Sequence, residues 1–356
     1  QRAKKQVRVG HVVGPQCVMT AGWISMGYNV VIVGATGQVG SQVIKELEER
    51  AFPVKQLLAF ASENSIAECV EFLDTEIAVQ AVDESAFAGA DIVFFCTPAS
   101  VTREYLPHAS GSGAFCIDLS YSAPEDGSVP CVVPELSSPS VLKALHTVAN
   151  PPVAVIQMAL MLHALHSAFE LRHVCATVLQ SASALGGKGV ETLCKQSGAL
   201  LNGRFSQSES PDSCVPVQLA YNMAPVNAGG RNFPGASHLG TALRAILGSD
   251  EIGLQIEMIQ VPVFYANALS LACCTRTEID EQQVEDLLRT CSGLKLIEPA
   301  QMDLCGSCTA PEDERIGVCV TRVEKGGYVN LWSVIDNLRK GSALNAVQIA
   351  EMYITG

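Results

Sequence analysis

The sequence predicts an α/β chain in two parts. One is a nucleotide-binding half on a parallel sheet, the other an α+β half on a largely antiparallel sheet. Three observations carry the prediction. A β-branched apolar run at 28–33 passes straight into a glycine turn and then into a helical pattern. Short apolar runs then alternate with helical spacing up to about residue 150, as βαβ units do. Beyond that point the order is mixed and the strand-like runs lengthen. With 356 residues the chain is long enough for about two domains.

Residues 28–33 suit a buried parallel strand because they are mostly Val and Ile. Gly34-Ala-Thr36-Gly37-Gln38-Val39-Gly40 follows at once. Glycines permit a tight turn and close backbone approach, and a helix starting there faces a pyrophosphate with its N-terminus. The spacing is GxxGxxG rather than GxGxxG, so a bare turn is the competing reading. Val39, Val43, Ile44 and Leu47 give that helix its apolar stripe. Residues 56–62 read as the second strand, closing at Ser62 and Glu63. An acid there accepts hydrogen bonds from ribose hydroxyls and repels a 2′-phosphate; a solvated loop acid is the alternative.

Residues 91–96, 114–118 and 129–133 read as further strands. Thr97 stands at a strand's C-terminal end, where open α/β sheets bind ligands. These elements make residues 26–149 a Rossmann-like domain. Residues 1–25, basic and broken by Gly and Pro, read as an extension outside the fold, with Met26 as the natural start. Pro151 and Pro152 keep the next entry extended, and a helix begins over 155–162. In the second half, 176–184 and 256–271 are strand-like, and 190–201, 239–247 and 281–288 have helical spacing. Residues 203–212 read as a polar loop. The last segment, 329–356, starts strand-like and becomes a helix.

The composition is 48% hydrophobic and 17% charged, which fits a well-buried protein. A net charge of −13 without a Lys/Arg cluster argues against nucleic acid and anionic membranes as partners. No apolar run is long enough to span a bilayer. Fourteen cysteines lie mostly singly in apolar runs, as free thiols do in a reducing cytoplasm. Cys305-Gly-Ser-Cys308 lacks a second pair, and His163 and His166 suit a partly exposed helix face, so no metal is expected.

Four stretches resemble aspartate-semialdehyde dehydrogenase. They are Val33-Gly-Ala-Thr-Gly-Gln-Val-Gly40, Val133-Pro-Glu135, Asn150-Pro followed by Ile156-Gln-Met158, and the long run from Asn330-Leu-Trp332 through Asp336-Asn-Leu-Arg-Lys-Gly341-Ser-Ala-Leu-Asn345 to Glu351. The resemblance implies a Rossmann-like NAD(P)-binding domain, a dimerisation domain over 150–328 and a C-terminal segment returning to the first. It also implies a homodimer. Active members reduce aspartyl phosphate with NADPH, on the route to lysine, threonine and methionine. They use a cysteine nucleophile, a histidine proton carrier and arginines for the substrate carboxylate and the phosphate. Gly34, Thr36, Gly37, Gln38, Val39, Ser62, Glu63, Thr97, Gly341 and Asn345 are the expected cofactor contacts.

Those catalytic roles fall on unsuitable residues here. Val153 occupies the cysteine position and Asn267 that of the histidine. Gln260 matches the carboxylate-binding arginine, Pro124 the phosphate-binding one, and Gly235 and His238 a Glu-x-x-Lys pair. Valine forms no thiohemiacetal, and an amide neither carries a proton near neutral pH nor pairs a carboxylate as a guanidinium does. Asn64 stands where the family's 2′-phosphate arginine falls, which moves the expectation from NADP toward NAD or toward no cofactor. The pattern looks most like the Usg-type branch. It implies a catalytically silent homodimer on a nucleotide-binding scaffold. An active or repurposed dehydrogenase, with Cys131, Cys273, Cys274 or Tyr265 in a new role, is the alternative.

Overall fold

The computed structural model describes residues 27–123, 128–204, 218–226, 236–298 and 314–356. The 1–25 extension, Pro124, Gly235, most of the 203–212 loop and the Cys305–Cys308 pair lie outside them.

In chain order the first domain comprises β1 (Tyr28–Val33), α1 (Gln38–Glu49), β2 (Val54–Ala61), β3 (Cys69–Phe72), β4 (Thr75–Ala78), β5 (Gln80–Ala81), β6 (Ile92–Phe95), α2 (Ala99–Gly111), β7 (Phe115–Asp118), α3 (Pro139–Leu142) and β8 (Thr147–Ala149). Six of these strands form one parallel sheet in the order β5-β2-β1-β6-β7-β8; β3 and β4 make a separate hairpin. The order reverses between β1 and β6, which opens a crevice at their C-terminal ends. Alternation along the strands divides the core. Val30, Ile32, Phe94 and Ile117 face α1, while Val31, Val33, Val93 and Phe95 pack with Tyr105, Leu106 and Ala109 of α2.

Residues 129–133 do not become a strand. Pro130 offers no N–H to a ladder, and the stretch makes a single bridge, Cys131 to Ala149. The sixth strand is β8 instead, which the sequence did not single out.

The second domain comprises α4 (Val153–Phe169), β9 (Leu171–Gln180), α5 (Gly187–Leu201), β10 (Ala224–Pro225), α6 (Ala236–Leu247), β11 (Gly253–Gln260), β12 (Asn267–Thr275), α7 (Glu281–Thr290), β13 (Leu294–Leu296), β14 (Ile316–Glu324) and β15 (Tyr328–Ile335). Its seven-stranded sheet runs β10-β11-β9-β12-β15-β14-β13. The sheet is mixed, since β11 with β9 and β13 with β14 are parallel. The expected run 256–271 is two strands, broken around Pro262 and turned at Ala266, whose φ is +69°. The helix expected over 155–162 starts two residues earlier, at Val153, directly behind Pro152. It is buried on nearly every side, with residues 154–162 all inside.

One sheet face packs on α4, α6 and α7 through Val174, Ala176, Val178, Leu269, Leu271 and Leu331. The opposite face carries directly paired Ser270 and Thr177, Ala272 and Cys175, Cys175 and Gln255, and Thr177 and Glu257. Of these, Cys175, Gln255, Glu257, Ser270 and Ala272 are exposed.

Residues 328–335 stay in this sheet, so the return to the first domain begins after them rather than at 329. A π-helical turn, Arg339–Ala343, leads into α8 (Leu344–Thr355), which lies against α1 and the first sheet. Tyr353 stacks on Phe115 with centroids 3.9 Å apart. Among the described residues no helix is long and apolar enough to cross a membrane.

Candidate functional site: a glycine cradle facing a neutral pocket

The crevice is built first from glycine. Gly34 leaves β1 at φ +89°, and a Cβ on it would sit 2.4 Å from the Cys96 carbonyl oxygen behind β6. A Cβ on Gly40 would lie 2.2 Å from the Gly34 oxygen. Both clashes are with backbone, so only glycine fits, and the main chain of the turn is left bare. Gly37 caps α1 without a side-chain bond, leaving first-turn N–H groups for a ligand. Thr36 Oγ1 reaches Ser65 Oγ at 3.3 Å and ties this turn to the one after β2. There Ser62 and Glu63 are exposed, with Glu63 opening a short 3-10 turn. Thr97 pairs its hydroxyl with Thr102 at 2.9 Å and lines the far side. Val39 is half-buried against the core under α1.

Gln38 reaches from this cradle toward the second domain. A Cβ on Gly187, at the start of α5, would lie 3.9 Å from its Nε2. Gln38 Oε1 is buried and has no partner among the described residues. A buried acceptor without a donor loses its hydration uncompensated, so a donor from outside the chain fits there.

Gly341 lies in the π-helical turn and Asn345 in the first turn of α8. A Cβ on Gly341 would come 2.7 Å from Val153 Cγ1, so the π-helical turn backs directly on the head of α4. Asn345 is fully buried, with Nδ2 donating to Asn150 Oδ1 at 2.8 Å and to Val132 O at 3.2 Å. Its Oδ1 accepts from Lys340 at 3.3 Å. Both ends of the amide are therefore engaged within the protein. Asn345 thus ties the junction at Asn150 to the C-terminal segment.

The positions on which the resemblance places the reaction lie at the ends of second-domain elements. Val153 is the first residue of α4 and half-buried. Gln260, at the end of β11, donates from Nε2 to the Gln180 carbonyl at 2.9 Å, and Gln180 Nε2 donates to its Oε1 at 3.3 Å. Asn267, opening β12, accepts from Ser181 N at 3.1 Å and Ser181 Oγ at 3.2 Å. Ser181 Oγ lies 3.0 Å from Ser183 Oγ, and Asn337 Nδ2 donates to Ser183 at 3.0 Å. Asn337 Oδ1 also takes the Ala266 N–H at 3.0 Å, which holds that left-handed residue. Gln180, Gln260, Asn267 and Asn337 are all buried. Sequence reasoning missed Gln180 and Asn337; the one available signal was a polar residue closing an otherwise apolar strand.

The polar residues among them make a network of neutral amides and hydroxyls, none of which titrates near neutral pH. Burial, with the Asp118 charge added, pushes Cys131 up to about 11, and burial beside Cys274 pushes Cys273 up to about 12. A protonated thiol is a poor nucleophile. Asp118, which precedes the stretch holding Pro124, is turned inward and accepts four bonds from Ser120 and Ser122, between 2.5 and 3.1 Å. His166 Nδ1 accepts the Leu171 N–H at 3.1 Å and closes the end of α4. Tyr265 is exposed on the turn before Asn267.

Two family models cover most of the chain. The NAD-binding domain of semialdehyde dehydrogenases matches 29–144, and the dimerisation domain of semialdehyde dehydrogenases matches 162–340. A USG-1 protein homolog from Azotobacter vinelandii is 35% identical over 339 residues, covering 93% of this chain and 99% of the relative. Aspartate-semialdehyde dehydrogenase from Aquifex aeolicus is 33% identical over 340 residues, covering 92% and 98%. The crystal structure of aspartate semialdehyde dehydrogenase II from Vibrio cholerae superposes with a TM-score of 0.84 at 30% identity, covering 93% of this chain and 99% of that one. With both domain models matched in order and relatives aligned end to end, the chain belongs to the semialdehyde dehydrogenase family, on its Usg-type branch.

Proposed function

We propose that this protein is a catalytically silent semialdehyde dehydrogenase homologue: a homodimer that keeps a dinucleotide site and has lost its covalent chemistry. One observation carries the reading. The head of α4, where the resemblance places a nucleophile, is Val153, and Gln260 and Asn267, on which the arginine and histidine roles fall, are absorbed into a buried neutral network. Losing a nucleophile alone lowers rates by several orders of magnitude.

The cradle itself fits a dinucleotide. Gly34, Gly37 and Gly40 leave bare backbone for a pyrophosphate, Gln38 offers an orphaned acceptor, and Thr97 lines the opposite wall. A bound dinucleotide would supply the hydride acceptor. The chain's own part is to bind it, orient it and keep the pocket behind it free of charge. Glu63 is exposed just past β2, where an acid would accept from ribose hydroxyls, and Asn64 beside it brings no positive charge, so NAD is favoured over NADP. Changing Asn64→Arg is expected to shift preference toward NADP by about tenfold, one charge-assisted contact's worth, read by cofactor titration.

The open face of the second sheet supports the dimer. Its small and polar pairs around Ser270 and Thr177 form a flat surface opposite the packed one. Sedimentation is expected to give a dimer, and Ser270→Arg, which places a long charge in mid-face, to give a monomer. A Ser270→Arg protein that remains dimeric would move the interface elsewhere.

The deciding experiment combines purified protein with aspartate semialdehyde, phosphate and NAD or NADP, and follows reduced cofactor. No rate above the blank is expected. Turnover that survives Val153→Ala overturns the silent reading. It would favour the alternative of an active dehydrogenase, to which the 33% identity with the Aquifex enzyme lends support.

A further inference from the structure

We propose that Arg50 is a positioning residue for the junction at 150–157, acting through an ionic clasp that locks the C-terminal segment to both domains. Arg50 stands at the C-terminal end of α1. It binds Glu351 of α8 bidentately, Nε to Oε1 at 2.8 Å and Nη2 to Oε2 at 2.7 Å. Its remaining nitrogen, Nη1, meets Glu314 at the entrance to β14 in the second domain. Three pieces of the chain far apart in sequence therefore close on one guanidinium.

The contact does not stop there. Glu314 accepts from Gln348 Nε2 at 3.2 Å, and Gln348 Oε1 accepts from Lys340 Nζ at 2.7 Å. Lys340, only 3% exposed, pairs with Glu135 at 2.6 Å and also reaches Asn345. Asn345 donates to Asn150, the residue ahead of the two prolines. On the other flank, Arg339 Nε donates to Glu46 Oε1 at 2.8 Å, with that carboxylate 1% exposed. Gly341 lies between the flanks, pressed on Val153. The head of α4 thus rests on a turn whose position is set by charges on α1 and at the entrance to β14. Isolated surface pairs contribute little, but a bidentate, partly buried network is the arrangement that holds geometry.

Hydrogen exchange on the full chain tests this with Arg50→Met. The control is Arg289→Met, which removes the same charge from an i,i+4 pair with Glu285 on α7, away from the clasp. In Arg50→Met, exchange is expected to quicken about tenfold both in α8 and at the Val155, Ile156 and Gln157 amides, with β9 and β12 unchanged. The control should match the parent. If α8 loosens while those α4 amides stay protected, Arg50 acts only locally and the proposal fails. It fails equally if the two variants exchange alike. Glu351→Gln keeps Arg50 with Glu314 and serves if Arg50→Met does not fold. The same two segments should then quicken by about threefold, and their remaining protected overturns the clasp.

Discussion

Replacing Lys340 with methionine is expected to destabilise the protein by about 3–5 kcal/mol, the usual result of stranding one partner of a buried ion pair. Lys340 is almost fully buried, and its ammonium meets Glu135 Oε1, Gln348 Oε1 and Asn345 Oδ1. Glu135 is itself nearly buried, and its Oε2 has no partner among the described residues, so without Lys340 the carboxylate loses the compensation they supply. Removing both charges together, as Lys340→Met with Glu135→Leu, is expected to recover most of the loss. The basis is that burial lowers the Lys340 pKa despite the attraction of Glu135, so desolvation outweighs the pairing.

The sign follows directly. With the folded pKa below the unfolded one, the unfolded chain holds the proton longer. This residue's contribution to stability therefore rises as pH climbs from the lowered folded value toward 10.5, and it is absent in the double variant. Denaturant unfolding of the three proteins, followed against pH, checks both statements. A single variant as stable as the parent would mean that Glu135 finds another partner.

The second large effect is one of activity. Val153→Cys alone is expected to leave the protein without measurable dehydrogenase turnover. The new thiol would stand at the head of α4, where the helix N-terminus favours a thiolate. The arginine and histidine roles would still fall on Gln260 and Asn267, which neither hold a carboxylate as arginine does nor exchange a proton. Adding Gln260→Arg and Asn267→His is expected to raise the rate by about two orders of magnitude or more over the single variant, because such groups act as a unit. Gln260 and Asn267 are both buried, so the triple variant should also be less stable. Substantial turnover in Val153→Cys by itself would contradict the assignment of Gln260 and Asn267 to the lost roles.

The amino-acid sequence alone determines what depends on single residues and their near neighbours. Gly34 and Gly40 mark a turn that no side chain fits, and the two prolines mark the start of α4 to within two residues. The helical spacing over 281–288 marks α7, which starts at Glu281 behind a capping box. The absence of a thiol at Val153 needs no fold to be seen, since it is a property of the side chain.

Tertiary structure decided the rest, because strand pairing and buried charge depend on distant partners. Residues 129–133 are as apolar as a strand, but Pro130 gives the ladder no donor, and the edge position went to Thr147–Ala149. The single expected strand over 256–271 became two once Asn337 held Ala266 in its turn. Gln180, Gln260, Asn267 and Asn337 lie on four separate stretches, and only the folded sheet makes them one network. Arg50, Glu314 and Glu351 look like ordinary surface charges in sequence, 264 and 301 positions apart, and the return of α8 to α1 is what brings them together.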